Sequence, residues 1–249
     1  MSVFLTAAQD VPVLEEIWNL VDWIIVEPNF PVGAVAVASV VGALLCMIIP
    51  YLLGSISPAI LISKRVCGTD VRTVGRETAG TYNMLVSFGT KMAVISALCE
   101  FFIAYIAVWF GRIVWGSNGA GLALFFVVFG NMFPLFYRLS GGKGIATMIG
   151  AAAALHPIVA ALIIIVFVIS VFATKLVAFG SVAISLLYPL FIKAFVGYGF
   201  PLAMSVFVTF FVLFAHRKNF RRVQDGKEEK FYFSDHLKKK KAEAEDDDK

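Results

Sequence analysis

The sequence predicts an all-α, polytopic integral membrane protein of about seven transmembrane helices, with its N-terminus outside and its C-terminus in the cytoplasm. Three observations predict it. The 249 residues are 59% hydrophobic and only 15% charged, with a mean hydropathy of +0.85, where a soluble domain carries about a quarter charged residues. The apolar residues fall in blocks of roughly membrane-spanning length. The charges are segregated: of the 21 Lys and Arg, all but Arg112 and Lys193 fall on one side once the blocks are threaded through a bilayer. The positive-inside rule makes that side the cytoplasm. Three scattered cysteines, Cys46, Cys67 and Cys99, form no metal or disulfide pattern. The first residues have no basic stretch of the kind that opens a cleavable signal peptide.

Residues 1–31 hold acids and no Lys or Arg. With Trp18 and Trp23 they read as an interfacial, amphipathic extension, or equally as a helix packed on the bundle. Residues 32–216 form the transmembrane domain. Its first run, Val32 to about Ile62, exceeds a bilayer's needs, and Pro50 and Gly54 predict a kink. A polar loop, Lys64 to about Asn83, follows. Further spans are expected over about Met92 to Phe110, with Glu100 inside it, and Ala120 to Phe136. Ile145 to Leu155 is a short helix of about 17 Å, too short to cross a core of about 30 Å alone. Ile158–Ala173, Leu176–Phe195 and Phe200–Ala215 complete the set. Residues 217–249 are a basic cytoplasmic motif and a charged tail, KKKKAEAEDDDK, whose composition predicts disorder.

The threading gathers three polar clusters on the cytoplasmic face. The first is Gly54-Ser55-Ile56-Ser57-Pro58 with Asp70-Val71-Arg72 and Gly80-Thr81-Tyr82-Asn83. The second is Ser140-Gly141-Gly142-Lys143-Gly144-Ile145-Ala146-Thr147. The third is His216-Arg217-Lys218-Asn219-Phe220-Arg221-Arg222, then Gly226-Lys227-Glu228. Glycines uncover backbone N–H groups, Lys143 adds charge, and the helix starting at Ile145 aims its positive end at the same place. That suits a phosphate, although the spacing is not that of a Walker loop. Each feature also has a plain structural reading. A basic stop after a last span is ordinary topology, and Ser55 suits helix packing. Asp70 and Arg72 can pair as surface charges. Glu100 is either neutral in the bundle or faces a polar cavity.

The joint pattern resembles a known family. Tyr51-Leu52-Leu53-Gly54-Ser55 precedes Pro58, and Asp70-x-Arg72-x-x-Gly75 opens the first loop. Phe133-Pro134-x-Phe136 leads into Gly141-Gly142-Lys143-Gly144-x-Ala146-Thr147, and His216-Arg217-x-Asn219-x-x-Arg222 follows the last span. Over about Tyr51 to Phe231 this is similar to the bacterial acyl-phosphate:glycerol-3-phosphate acyltransferases of the PlsY type. The resemblance implies a multi-pass enzyme of the bacterial plasma membrane with a cytoplasmic active face. It would transfer a fatty acyl group from acyl phosphate to sn-glycerol 3-phosphate, giving lysophosphatidic acid and phosphate in phospholipid biosynthesis. It implies no cofactor, metal, coenzyme A or acyl carrier protein, and no nucleic acid or obligate protein partner. Membrane lipids are its surroundings.

Carried onto this sequence, the resemblance implies that Lys143 and the amides of Gly141, Gly142 and Gly144 hold a phosphate. Ser55, Arg72, Gly75, Asn83, Thr147, Arg217 and Asn219 complete the binding set. His216 orients or deprotonates the acceptor hydroxyl, a task a substrate phosphate oxygen could equally perform. The sequence departs from the family in the first loop. Arg76-Glu77-Thr78 stands where Ser-Gly-Asn is usual, so the serine hydroxyl of the family's active site is absent and Thr78 or Thr81 supplies one if the loop shifts. Asn131 stands where a histidine is usual, and Ile103-Ala104 replace Lys-Gly after Glu100. Two other readings follow. One is a divergent homologue that binds phosphate or phospholipid, or acylates another acceptor. The other is an anion transporter, against which stand the missing internal repeat and the one-sided loops.

Overall fold

The computed structural model describes residues 32–228, 230 and 231. The expected N-terminal extension and the charged tail beyond Phe231 lie outside the described residues. Among the described residues the chain is helical throughout. It runs α1 (Val32–Gly54), α2 (Pro58–Val66), a 3-10 turn (Val71–Thr73), α3 (Thr81–Met132) and a second 3-10 turn (Leu135–Tyr137). Then come α4 (Ile145–Leu155), α5 (Pro157–Thr174), α6 (Val177–Phe195), α7 (Phe200–Ala215) and α8 (Arg217–Gln224).

The first apolar run is divided rather than kinked. α1 continues through Pro50 and stops at Gly54. Ser57 is extended (φ −93°, ψ 102°) because proline disfavours helix in the residue before it, and Pro58 then opens α2 as its first residue. The second and third expected spans form one continuous element, α3, with two breaks. Gly89 (φ 81°) separates a short first helix, and Trp115-Gly116 interrupts the rest. At the second break the chain reverses. A Cβ placed on Gly111 would lie 2.4 Å from the Gly119 carbonyl oxygen, whereas eight residues along a straight helix rise about 12 Å. Gly116 makes the turn at φ 53° and ψ −140°. α3 ends at Met132 because Phe133 precedes Pro134.

Four described helical segments are long and apolar enough to cross a bilayer, and Phe200–Ala215 with Arg217–Gln224, bent by 48°, makes a fifth. The reversing α3 is one of those segments. Large apolar side chains face outward all around them: Val37, Ile106, Ile169 and Phe210 are each about 60% exposed. Such a surface is suited to lipid and not to water. Inside, small residues bring helices close. Gly150 of α4 meets the Phe101 backbone of α3, and Ala151, Ala152 and Ala154 are buried beside it. The short α4 is thus packed against α3. Phe211 of α7 sits between Phe125 and Phe129 of α3 and Phe133 just beyond it, with ring centroids 5.7, 5.3 and 6.3 Å away. That packing fixes the helix whose last turn presents His216. Arg217–Gln224, expected as a basic cytoplasmic motif, is helical and buries Asn219.

The hairpin yields a prediction. Gly119→Val would push its Cβ into the Gly111 carbonyl at 2.1 Å. It should cost about 1–3 kcal/mol, which is roughly 2–12 °C in melting temperature for a chain of this size. Gly33→Val, where nothing lies within 4 Å, should leave the melting temperature of the detergent-solubilised protein unchanged.

Candidate active site

Three polar segments converge at one end of the bundle, and each is held by specific bonds. In the first loop the Asp70 carboxylate accepts the backbone N–H of Arg72 at 3.0 Å and its guanidinium Nη2 at 2.8 Å. Lys64 Nζ pairs with the same Oδ2 that receives Arg72 Nη2, at 3.1 Å. These bonds, Arg72 first, hold Asp70 well below the usual carboxylate range. Arg72 Nη1 also donates to the Tyr137 carbonyl at 3.0 Å, which ties the first loop to the turn after α3. Asn83, 1% exposed, organises the rest. Its Nδ2 donates to the carbonyls of Val71, Val74 and Thr78 at 2.6, 3.1 and 2.9 Å. Its Oδ1 accepts the Arg76 backbone N–H at 2.7 Å.

The second loop packs on the first. The Gly142 N–H donates to the Asn131 carbonyl at 3.0 Å, and the Ala79 N–H to the Gly141 carbonyl at 3.4 Å. Gly141 lies so close to Asn131 that a Cβ would sit 2.1 Å from its carbonyl oxygen. Gly144 caps α4 in the left-handed region, at φ 75°. Between them Lys143 extends its Nζ to donate to Asn219 Oδ1 of α8. Asn219 Nδ2 donates in turn to Glu228 Oε1 at 2.9 Å. The same oxygen receives Arg76 Nη1 at 2.8 Å, in an ion pair whose side chains are 11% and 5% exposed. The guanidinium carbon lies 4.5 Å from the Tyr82 ring centroid. A backbone bond from Phe231 N–H to the Lys175 carbonyl at 2.7 Å carries the chain past the same end of the bundle.

These segments border one cavity of about 350 Å³. Its polar lining includes Arg76, Thr78, Thr81, Lys143, His216 and Asn219, and its apolar lining includes Ala97, Ile149, Phe167 and Val171 from α3, α4 and α5. Burial pushes the Lys143 ammonium down to about 8, aided by the nearby Arg76 charge. Burial and the Lys143 charge push His216 down to about 4. His216 is therefore neutral near pH 7. Its Nδ1 lies 2.8 Å from the Val212 carbonyl, which can only accept, so Nδ1 carries the proton and Nε2 the lone pair. The cavity thus combines a cation, a neutral base and an apolar wall.

The structure brings His216, Thr78, Thr81, Asn83, Lys143, Gly144 and Asn219 to this cavity. Thr81 Oγ1 is buried with no hydrogen-bond partner among the described residues. Several residues assigned to binding do not line the cavity. Ser55 donates to the Tyr51 carbonyl at 2.8 Å and accepts the Leu135 N–H at 3.2 Å, so it fastens the end of α1 to the turn after α3. Arg72 is consumed by Asp70 and the Tyr137 carbonyl. Gly75 makes room for Asn83, whose Oδ1 would lie 2.5 Å from a Cβ. Gly141 and Gly142 pack against Asn131 and Ala79. Thr147 is buried on the first turns of α4. Arg217 bonds to the Phe214 carbonyl and covers the Phe214 ring.

The site also contains residues that the sequence reading did not assign to it. Arg76 lines the cavity, although it had stood only as a departure from the family. Glu228, within the quoted Gly226-Lys227-Glu228, is the acid of the ion pair. Ser181 lines the cavity from α6 with no polar neighbour in sequence to flag it. Glu100, buried within α3, borders it as well.

Asn83 yields a prediction. Asn83→Ala deletes bonds to carbonyls of the first loop at about 1 kcal/mol each. It should destabilise the protein by roughly 2–4 kcal/mol, and thermal unfolding in detergent should show it. Asn83→Asp should not restore stability, because a carboxylate accepts but cannot donate to the three carbonyls.

Comparison with known proteins covers most of the described chain. A family model described as glycerol-3-phosphate acyltransferase matches residues 44–226. The glycerol-3-phosphate acyltransferase of Finegoldia magna is 33% identical over 184 residues, which is 74% of this chain and 93% of that protein. That of Aliivibrio salmonicida is 35% identical over 195 residues, covering 76% and 98%. A crystal structure of PlsY, an integral membrane glycerol 3-phosphate acyltransferase, in its glycerol 3-phosphate form superposes with a TM-score of 0.74. It is 28% identical and covers 78% of this chain and 98% of that one. A lysophosphatidic acid form superposes at 0.71 with 27% identity. The matched stretch takes in the asparagine-held first loop, the glycine-lysine loop and the histidine after α7, and the chain belongs to the glycerol-3-phosphate acyltransferase family of the PlsY type.

Proposed function

We propose that this protein transfers a fatty acyl group from acyl phosphate to the 1-hydroxyl of sn-glycerol 3-phosphate, releasing lysophosphatidic acid and inorganic phosphate. The single observation that carries the reading is the cavity itself, where Lys143, His216 and Asn219 border the same space as Ile149, Phe167 and Val171. Both substrates bear phosphate, and one bears a lipid tail. The acceptor hydroxyl oxygen attacks the acyl carbonyl carbon, and the bond from that carbon to the phosphate oxygen breaks. The phosphate leaves with the electron pair. The hydroxyl proton passes to His216 Nε2 or to a phosphate oxygen. Lys143 holds phosphate by charge, with Asn219 fixing its ammonium. The unpartnered Thr81 hydroxyl donates to substrate, and Thr78 lies beside it.

The topology proposed for this activity is seven membrane segments, with the N-terminus outside and the site facing the cytoplasm of a bacterial cell. The reversal at Trp115-Gly116 supports the count, since it makes two passes of α3. The near-exclusive placement of Lys and Arg on the side of the site supports the orientation. The short α4 counts as a segment that begins at the loop and is completed by packing on α3.

Given acyl phosphate and glycerol 3-phosphate, the purified protein in lipid cubic phase should release phosphate and form lysophosphatidic acid. Absence of turnover with glycerol 3-phosphate binding intact would refute the proposal. The pH dependence is a second test. Lys143 loses its proton as pH rises through about 8, so the KM for at least one of the two phosphate-bearing substrates should climb above that pH. Lys143→Arg stays charged there, so its KM should not climb over the same range. His216, at about 4, is already neutral from pH 6 to 8, so kcat should be flat with respect to it there. His216→Ala should lower kcat by roughly 10²–10⁴-fold.

A further inference from the structure

We infer that Arg76 is a second phosphate ligand of the cavity and that Glu228 is the positioning residue that keeps its guanidinium at the wall. This rests on the reading that the cavity takes a phosphate-bearing substrate. Arg76 and Lys143 both line the cavity, from different loops, while Glu228 is not among the lining residues. Two cations lie near enough that the charge of Arg76 helps to depress Lys143. Left to themselves they would repel. One carboxylate oxygen holds both: Glu228 Oε1 receives Arg76 Nη1 at 2.8 Å and Asn219 Nδ2 at 2.9 Å, and Asn219 Oδ1 receives Lys143 Nζ. The carboxylate therefore stands behind the wall and the cations in it.

The chemistry of the two cations is complementary. Lysine is a compact point charge, whereas a guanidinium is a planar fork of five N–H donors that can serve a carboxylate and a phosphate together. The Tyr82 ring, 4.5 Å from the guanidinium carbon, supports its face. A guanidinium was expected at this site from Arg72, but that side chain is taken up by Asp70 and Tyr137. Arg76 brings one to the cavity from four residues further on. The plain alternative is that Arg76 and Glu228 form only a strap, tying the segment after α8 to the first loop.

The experiment uses the full-length protein, with inorganic phosphate as the binding probe and steady-state kinetics for each substrate. Arg76→Gln should weaken inorganic phosphate binding roughly tenfold to a hundredfold, as expected for a charged hydrogen bond, and Arg76→Lys should lie between. A raised KM for glycerol 3-phosphate alone assigns Arg76 to the acceptor's phosphate. A raised KM for acyl phosphate alone assigns it to the donor's. Glu228→Gln should raise the KM of the same substrate while kcat stays within about twofold; a fall in kcat with KM unmoved overturns its positioning role. The exchange Arg76→Glu with Glu228→Arg keeps the ion pair but moves the cation behind the wall. It should recover the thermal stability lost in Arg76→Glu alone and should not recover phosphate affinity. Wild-type phosphate affinity in Arg76→Gln, or an exchange that restores affinity along with stability, overturns the inference. Arg76-dependent phosphate binding in a protein that turns over no acyl phosphate would sustain it while refuting acyl transfer.

Discussion

The Asn83 carboxamide holds a stretch of chain that forms no ladder of its own. Three carbonyls of the first loop converge on its Nδ2, and its Oδ1 takes the Arg76 N–H and the Ser87 hydroxyl. A backbone at the edge of a bilayer must satisfy its polar groups within the protein. One side chain does that here for four backbone groups of residues 71–78, and the loop it shapes is the one that places Arg76 and Thr78 at the cavity. The same logic recurs at Arg72, which satisfies the Tyr137 carbonyl, and at Ser55, which satisfies the Leu135 N–H. The polar residues nearest the site are therefore of two kinds. Some hold the loops to each other, and some face the cavity.

That division explains the altered first motif. Arg76 does not reproduce a serine hydroxyl. It turns to the cavity wall and recruits Glu228 from beyond α8. Burying a guanidinium and a carboxylate together is tolerable only because both are hydrogen-bonded, and removing either partner would leave a buried charge. The second loop is built differently. Gly141 and Gly142 are small because backbone of Asn131 and Ala79 presses against them, so of the loop's side chains Lys143 is the one that meets the cavity. Neutral His216 beside charged Lys143 then follows from burial acting on two cationic acids of different intrinsic strength.

Much of the helical layout was legible in the chain. The short α4 and α7 have the same bounds in sequence and structure, Ile145–Leu155 and Phe200–Ala215, because glycine and proline mark both ends of α4 and the start of α7. The divided first run was less so. Pro50 and Gly54 both predicted a kink, yet α1 passes through Pro50 and stops at Gly54. The stop depends on the Ser57-Pro58 pair and on the close approach of Gly54 to the Val127 backbone. Only the first of these is written locally. The site was legible where a residue's type alone suits the chemistry, as with Lys143 and His216. It was not legible where a residue's role depends on what lies across the cavity. Arg72 and Arg76 are the same amino acid four positions apart. Asp70 claims one, and the other meets Glu228, 152 residues away in sequence.

The amino-acid sequence alone specified an α-helical membrane protein, the end of the bundle that carries its charge, and the three segments that are polar. It did so because hydrophobic block length and charge segregation are properties of composition along a line. The tertiary structure decided which polar side chains face the cavity and which bind other loops. It also decided that His216 is neutral and that Arg76 and Lys143 share one carboxylate through Asn219. Those outcomes depend on burial and on partners from distant segments, and neither exists until α7 and α8 have packed against α3 and its loops.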